Sequence, residues 1–136
     1  MQAGYSRTPL AKKLGIKAGY TILLQQEPEH YFDLFEGLPE DLEFAEDPKP
    51  ESIDFIHVFC TELDELKRIA GTFKNALKKN GLIWISWPKG SSSIKTDLKR
   101  DPIREHFLKI GLVDAKVAAI DEDWSGLKFV YRLKDR

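Results

Sequence analysis

From Asp54 to Cys60 the chain reads Asp-Phe-Ile-His-Val-Phe-Cys, a nearly unbroken apolar run of strand-forming residues. A strand with one wet face would alternate polar and apolar side chains. This one does not, so it reads as a strand buried on both faces, as in the middle of a parallel sheet. Leu82-Ile83-Trp84-Ile85-Ser86-Trp87 has the same character and is stopped by Pro88. Between the two runs, Leu66, Ile69, Ala70, Phe73 and Leu77 form one helical stripe, with Asn80-Gly81 expected to terminate the helix. Thr61 with Asp64 resembles a capping box at its start. Strand, helix and strand in this order imply a right-handed crossover between parallel neighbours.

The remaining elements extend that unit. Thr8-Pro9 opens a short helix that places Leu10 and Leu14 on one face and closes at Gly15. Tyr20 to Leu24 reads as a strand. Pro28 opens a second helix carrying Tyr31, Leu34, Phe35 and Leu38, ended by Gly37 and Pro39. Leu42 to Phe44 is a short strand. Asp101-Pro102 caps a helix with Ile103, Phe107 and Ile110, ended by Gly111. Ala115 to Ile120 and Leu127 to Leu133, parted by residues 121–126, suggest an antiparallel hairpin. The expectation is one α/β domain over residues 1–136, its mostly parallel sheet covered on both faces and ending in an antiparallel hairpin.

Composition narrows the function classes. With 42% hydrophobic and 32% charged residues, the chain is ordinary globular material, and no apolar run approaches the roughly 20 residues needed to cross a bilayer. Cys60 is the single cysteine and Met1 to Tyr5 carries no secretory signal, so a soluble, cytoplasmic protein is expected. Net charge is −1 but unevenly placed: Glu27 to Asp54 holds eleven acids and one base, leaving 20 bases against 11 acids elsewhere. Either this stretch steers a charged partner or it is a solvated acidic face. Basic residues interleaved with aromatics are absent, so no nucleic-acid partner is expected.

Four places bear on chemistry. His57 shares a strand face with Phe55 and Phe59 and reads as a satisfied core histidine, which leucine would replace mildly if it is neutral and weakly paired. His30 and His106 have no partner at ligand spacing, and no metal is expected. Cys60 ends a central strand with no base nearby in sequence, so it reads as a buried small residue and no catalytic residue is assigned. Trp87-Pro88-Lys89-Gly90-Ser91-Ser92-Ser93 leaves a parallel strand at its carboxyl end, where open α/β sheets bind ligands. Lys89, Ser91 and Ser92 there, with Thr61 at a helix start and Trp87 and Trp124 as walls, form a candidate anion site. Alternatively the loop is a mobile polar linker, and Trp124 seals the core over the last helix.

Thr61 to Trp87, read as helix, Lys79-Asn80-Gly81 and strand, is similar to the late-middle helix and fifth strand of class I methyltransferases. The closing hairpin matches the way that fold ends. Tyr5 to Leu10 running into Lys13-Leu14-Gly15-Ile16, Ser86 to Lys89, Gly111 to Asp114 and Trp124 to Lys128 together resemble one bacterial family of unknown function. The resemblance implies a Rossmann-like three-layer sandwich of truncated methyltransferase-like topology, and no activity. In class I methyltransferases the first strand runs into a glycine-rich turn at S-adenosylmethionine. Here that turn is Gln25-Gln26-Glu27-Pro28-Glu29, without glycine, so no cofactor is expected and S-adenosylmethionine is not expected to bind. Glu46 could meet the cofactor's ribose. The leading reading is a degenerate, non-catalytic domain that binds a small anion or a protein partner. Its alternatives are an active methyltransferase with an atypical cofactor turn, and a structural subunit working through the acidic face. Oligomeric state is left open.

Overall fold

In the computed structural model, which describes residues 8–136, the elements follow in the order α1 (Leu10–Leu14), β1 (Thr21–Gln25), a 3₁₀ turn (Tyr31–Leu34), β2 (Glu43–Phe44) and β3 (Ile53–Phe59). They continue as α2 (Leu63–Ala76), β4 (Leu77–Pro88), α3 (Arg100–Lys109), β5 (Leu112–Ala119), β6 (Trp124–Tyr131) and a final 3₁₀ turn (Leu133–Asp135). Residues 1–7, which carried part of the family resemblance and the reading of the leader, lie outside the described residues. The six strands form one sheet in the order β2-β1-β3-β4-β6-β5. β2, β1, β3 and β4 are mutually parallel, whereas β6 runs antiparallel to both β4 and β5. This is a Rossmann-like α/β fold with a largely parallel sheet and an antiparallel far edge.

The two apolar runs become the central strands, with Phe55, Ile56, Trp84 and Ile85 fully buried. On one side of the sheet Ile56, Val58, Ile83 and Ile85 share a core with Leu66 and Phe73 of α2 and Ile103 and Phe107 of α3. On the other, Phe55, Phe59 and Trp84 pack with Leu14, Tyr31 and Trp124. The indole N–H of Trp84 donates to the Leu14 carbonyl at 2.7 Å, which anchors the end of α1 to the sheet. Gly15 then turns the chain with φ 89°, a left-handed backbone that glycine adopts without a Cβ penalty.

Beyond one-residue differences at α1, β1, β2 and β3, element boundaries depart from the sequence expectation in four places. α2 stops at Ala76 and β4 begins at Leu77, so Asn80-Gly81 lies inside a strand. Tertiary pairing decides this: Leu77 already pairs with Ile53, and the register shifts before Leu82 pairs with Phe55. At that irregularity a Cβ on Gly81 would stand 2.9 Å from the Asp54 carbonyl, so glycine is there for backbone approach. The second helix shrinks to the turn Tyr31–Leu34, because the stretch between Pro28 and Gly37 is too short to repay helix nucleation. α3 starts at Arg100 after Lys99, so Asp101, expected as its cap, lies inside the first turn. The hairpin strands begin at Leu112 and Trp124, which moves Trp124 from the turn into β6.

Candidate functional site

The parallel strands β1, β3 and β4 open at one edge, and Trp124 pairs with Pro88, so the β5–β6 turn joins them there. Strand order reverses between β1 and β3, which makes their carboxyl ends a crevice of the kind where open α/β sheets hold ligands. Gln26 spans it. Its Nε2 donates to the Phe59 carbonyl at 3.2 Å and to Glu65 Oε1 at 2.7 Å. Hydrogen bonds from the Gln26 carboxamide, then from the Cys60 thiol, hold the Glu65 carboxyl below its ordinary range. Burial pushes the Cys60 thiol up to about 11, so at neutral pH it is a protonated packing residue and not a nucleophile. Gln26 itself has φ 57°, a left-handed backbone reached without glycine.

Beside this crevice, the segment 89–99 folds back over the start of α2. Asp97 Oδ1 accepts the Leu63 N–H at 2.8 Å, and the Thr61 carbonyl accepts from Thr96 Oγ1 at 2.7 Å and the Asp97 N–H at 3.2 Å. Glu62, not Thr61, precedes the helix, so the expected capping box is replaced by a carboxylate from 34 residues away. The negative charge expected near this helix start is therefore the chain's own Asp97. The serine loop is tied down as well. Lys89 N–H donates to the Asp123 carbonyl at 2.7 Å, Ser92 N–H to the Lys89 carbonyl at 3.0 Å, and Ser92 Oγ to Asp123 Oδ1 at 2.8 Å. It is a turn held against the hairpin, not a free linker.

A cleft of about 560 Å³ opens between this turn and the start of α3. Trp87, Lys89 and Ser92 line it together with Lys95, Lys99 and Arg100, and no carboxylate does. Of the six residues expected at an anion site, three therefore converge. Thr61, Ser91 and Trp124 do not line the cleft. The two tryptophans are on opposite sides of the sheet: Trp87 is 8% exposed in the core with α2 and α3, and Trp124, 9% exposed, packs edge-on to Phe59 at 5.0 Å on the other side. Strand alternation explains the split, since Trp87 pairs with Ser125 and Trp124 with Pro88. Trp124 seals the core, but not over the last helix. Lys95, Lys99 and Arg100 were not expected there because only the fold-back of the loop brings them to the same cleft as Lys89; their clustering within six residues was the available signal.

His57 is sealed from any ligand, with 0% exposure, and makes two hydrogen bonds: Nδ1 with Tyr31 Oη at 3.0 Å and Nε2 with Ser86 Oγ at 2.8 Å. Burial lowers its pKa to about 3, so it is neutral. The reading as a satisfied core histidine holds, and with both ring nitrogens paired the condition for a mild leucine replacement is not met. A smaller cavity of about 330 Å³ lies between α1, the 3₁₀ turn and the hairpin, with Lys13, Asp33 and Glu122 on its walls. Asp121, also on its wall, is paired with His30, Oδ2 to Nε2 at 2.8 Å. Among the described residues no three His, Cys, Asp or Glu side chains converge as metal ligands, and no helix is long and apolar enough to cross a membrane.

No protein-family model and no curated protein matches the chain in sequence. Solved structures do match in fold. A SAM-dependent methyltransferase from Aquifex aeolicus is 15% identical at TM-score 0.56, covering 88% of this chain and 86% of its own. The DhpI–SAH complex is 10% identical at TM-score 0.63, covering 92% and 83%. Magnesium protoporphyrin IX methyltransferase from Synechocystis with bound SAH is 7% identical at TM-score 0.56, covering 90% and 78%. The fold is thus methyltransferase-like. These neighbours overturn the expectation of no cofactor, since one of them is a SAM-dependent methyltransferase and two hold SAH. The physical premise of that expectation was also incomplete. Gln26 takes a left-handed turn backbone without glycine, so the missing glycine does not by itself forbid the turn's conformation.

Proposed function

We propose that this methyltransferase-fold domain binds a small anionic ligand in the cleft between the 89–92 turn and the start of α3. One observation carries the reading: Lys89, Lys95, Lys99 and Arg100 line a single cleft at the carboxyl edge of the sheet, with no acidic residue among them. Each exposed cation contributes little alone, about 0–1 kcal/mol. Three lysines lining one cleft, joined by Arg100, which is shared with Asp101 at 3.5 Å, add up to useful affinity and to a marked salt dependence. A thermal-shift screen of inorganic phosphate, nucleotides and dicarboxylates tests this. A true ligand at a hundred times its Kd stabilises by about 2.7 kcal/mol. That shift is expected to vanish in Lys95→Ala/Lys99→Ala; a hit that the double variant leaves unchanged places the site elsewhere.

A second reading, methyl transfer from S-adenosylmethionine, is favoured by the shared fold and the SAH-bound neighbours. The cofactor would lie in the β1–β3 crevice, held by the Gln26 turn, by Cys60-Thr61-Glu62 beyond β3, and by Glu46 beyond β2. When bound it supplies an electrophilic methyl group. For it to enter, the Gln26 side chain that spans the crevice would have to leave. That side chain is exposed, and releasing its two hydrogen bonds costs about 1 kcal/mol each. Calorimetry decides: S-adenosylmethionine is expected to bind Gln26→Ala more tightly than wild type, by up to roughly thirtyfold if both bonds compete with it. Equal affinities would remove Gln26 from the site, and absence of heat with either protein would set this reading aside.

A further inference from the structure

Among the described residues the sheet ends at β2, a strand of two residues whose only partner there is β1. Glu43 N–H donates to the Tyr20 carbonyl at 3.0 Å and Ala45 N–H to the Ile22 carbonyl at 2.8 Å. Because a strand's polar groups alternate sides, the N–H and C=O of Phe44 between them point away from the sheet, toward an edge that carries no further strand among the described residues. Apolar surface gathers at the same place. Phe32 and Phe44 are each 48% exposed and meet edge-to-face with ring centroids 5.5 Å apart. With Leu38 they make three of the five exposed large hydrophobic side chains among the described residues. Around them Glu40, Asp41, Glu43, Glu46 and Asp47 are exposed, and none forms an ion pair among the described residues.

We infer that this edge is a docking surface for an extended segment of a partner protein in which basic and apolar residues alternate. Each feature recognises one part of such a segment. The outward backbone groups of Phe44 extend the sheet by strand addition, the pair Phe32 and Phe44 receives an apolar side chain, and the acidic rim selects lysine or arginine. The rim also excludes the obvious competitor. A second copy would bring its own acidic edge against this one, and like charges facing across a new strand pair repel. Charge complementarity thus favours a basic partner over self-association. The inference concerns a different edge of the sheet from the basic cleft and stands independently of it.

The test uses an acetylated seven-residue peptide, Lys-Val-Lys-Phe-Lys-Val-Lys, titrated into the full chain and followed by fluorescence anisotropy and by backbone amide shifts. Saturable binding is expected, with shifts concentrated between residues 32 and 47. It should weaken about tenfold or more in Phe44→Ser, and similarly in Glu43→Lys/Glu46→Lys. A peptide N-methylated at alternate residues keeps its charge but loses the donors of one edge, and it should fail to bind. A glutamate-for-lysine peptide should fail as well. Equal binding of the N-methylated peptide, shifts mapping to another face, or no binding at about 1 mM would each overturn the proposal, as would concentration-dependent dimerisation through this edge that the peptide does not disturb.

Discussion

The most consequential single residue in the core is His57, because burial and pairing act on it in opposite senses. Burial removes its charge; Tyr31 and Ser86 satisfy both ring nitrogens of the neutral form. Replacing it by leucine leaves two buried hydroxyls without a partner, at roughly 1–3 kcal/mol each. His57→Leu is therefore expected to lower the urea midpoint substantially. The triple variant Tyr31→Phe/His57→Leu/Ser86→Ala, which removes all three polar groups, should recover much of the loss. A pH dependence follows from the same residue. Unfolded histidine titrates near 6.5, whereas folded His57 titrates at about 3, so between these values the unfolded chain holds the extra proton. Stability falls as pH is lowered through that window, by up to about 1.4 kcal/mol per unit, and is fully present above it. Subtracting the stability curve of His57→Leu isolates this contribution; a flat difference between pH 6.5 and 4 would refute it. The apolar setting of His57 was legible in the sequence. Its partners were not, since they stand 26 and 29 residues away and meet it only through strand and turn placement.

At the level of elements, α2 shows how a helix can be recognised while its ends are misread. Leu66, Ala70 and Phe73 face the core as their spacing demands. Its start is capped from outside, by Asp97, and its end is set by strand pairing at Leu77. Asp97→Ala is expected to cost about 0.5–2 kcal/mol, the usual loss for a helix cap, and to speed amide exchange at Leu63. Asp97→Asn, which keeps an acceptor oxygen, should cost less. If Asp97→Ala leaves both midpoint and exchange unchanged, the fold-back of the 89–99 segment has been assigned too much. The same fold-back creates the basic cleft, so the cap and the candidate ligand site share one structural cause. Local pattern could place Lys89 at the end of a buried strand, but not bring Lys95 and Lys99 opposite it.

For the whole molecule, the two cores are joined through β3 and β4, whose side chains supply both faces. One cooperative unit is expected. Trp84 and Trp124 report on one face and Trp87 on the other, so tryptophan fluorescence and far-ultraviolet circular dichroism should give coincident unfolding transitions. Separated midpoints would mean that the faces melt independently. The charge polarity of the sequence also acquires a location. Acidic residues crowd the β2 edge, and four bases gather beyond β4, three strands along the sheet. Hydrophobic pattern by itself determined the α/β class, the two buried central strands, the core-facing helix stripes and the terminal hairpin, because burial selects residue type wherever a strand or helix meets the core. Only the tertiary structure decided which residues share a site. The partners of His57, the Asp97 cap, the Gln26 bridge and the basic cleft all join segments distant in sequence, and chain folding alone sets such distances.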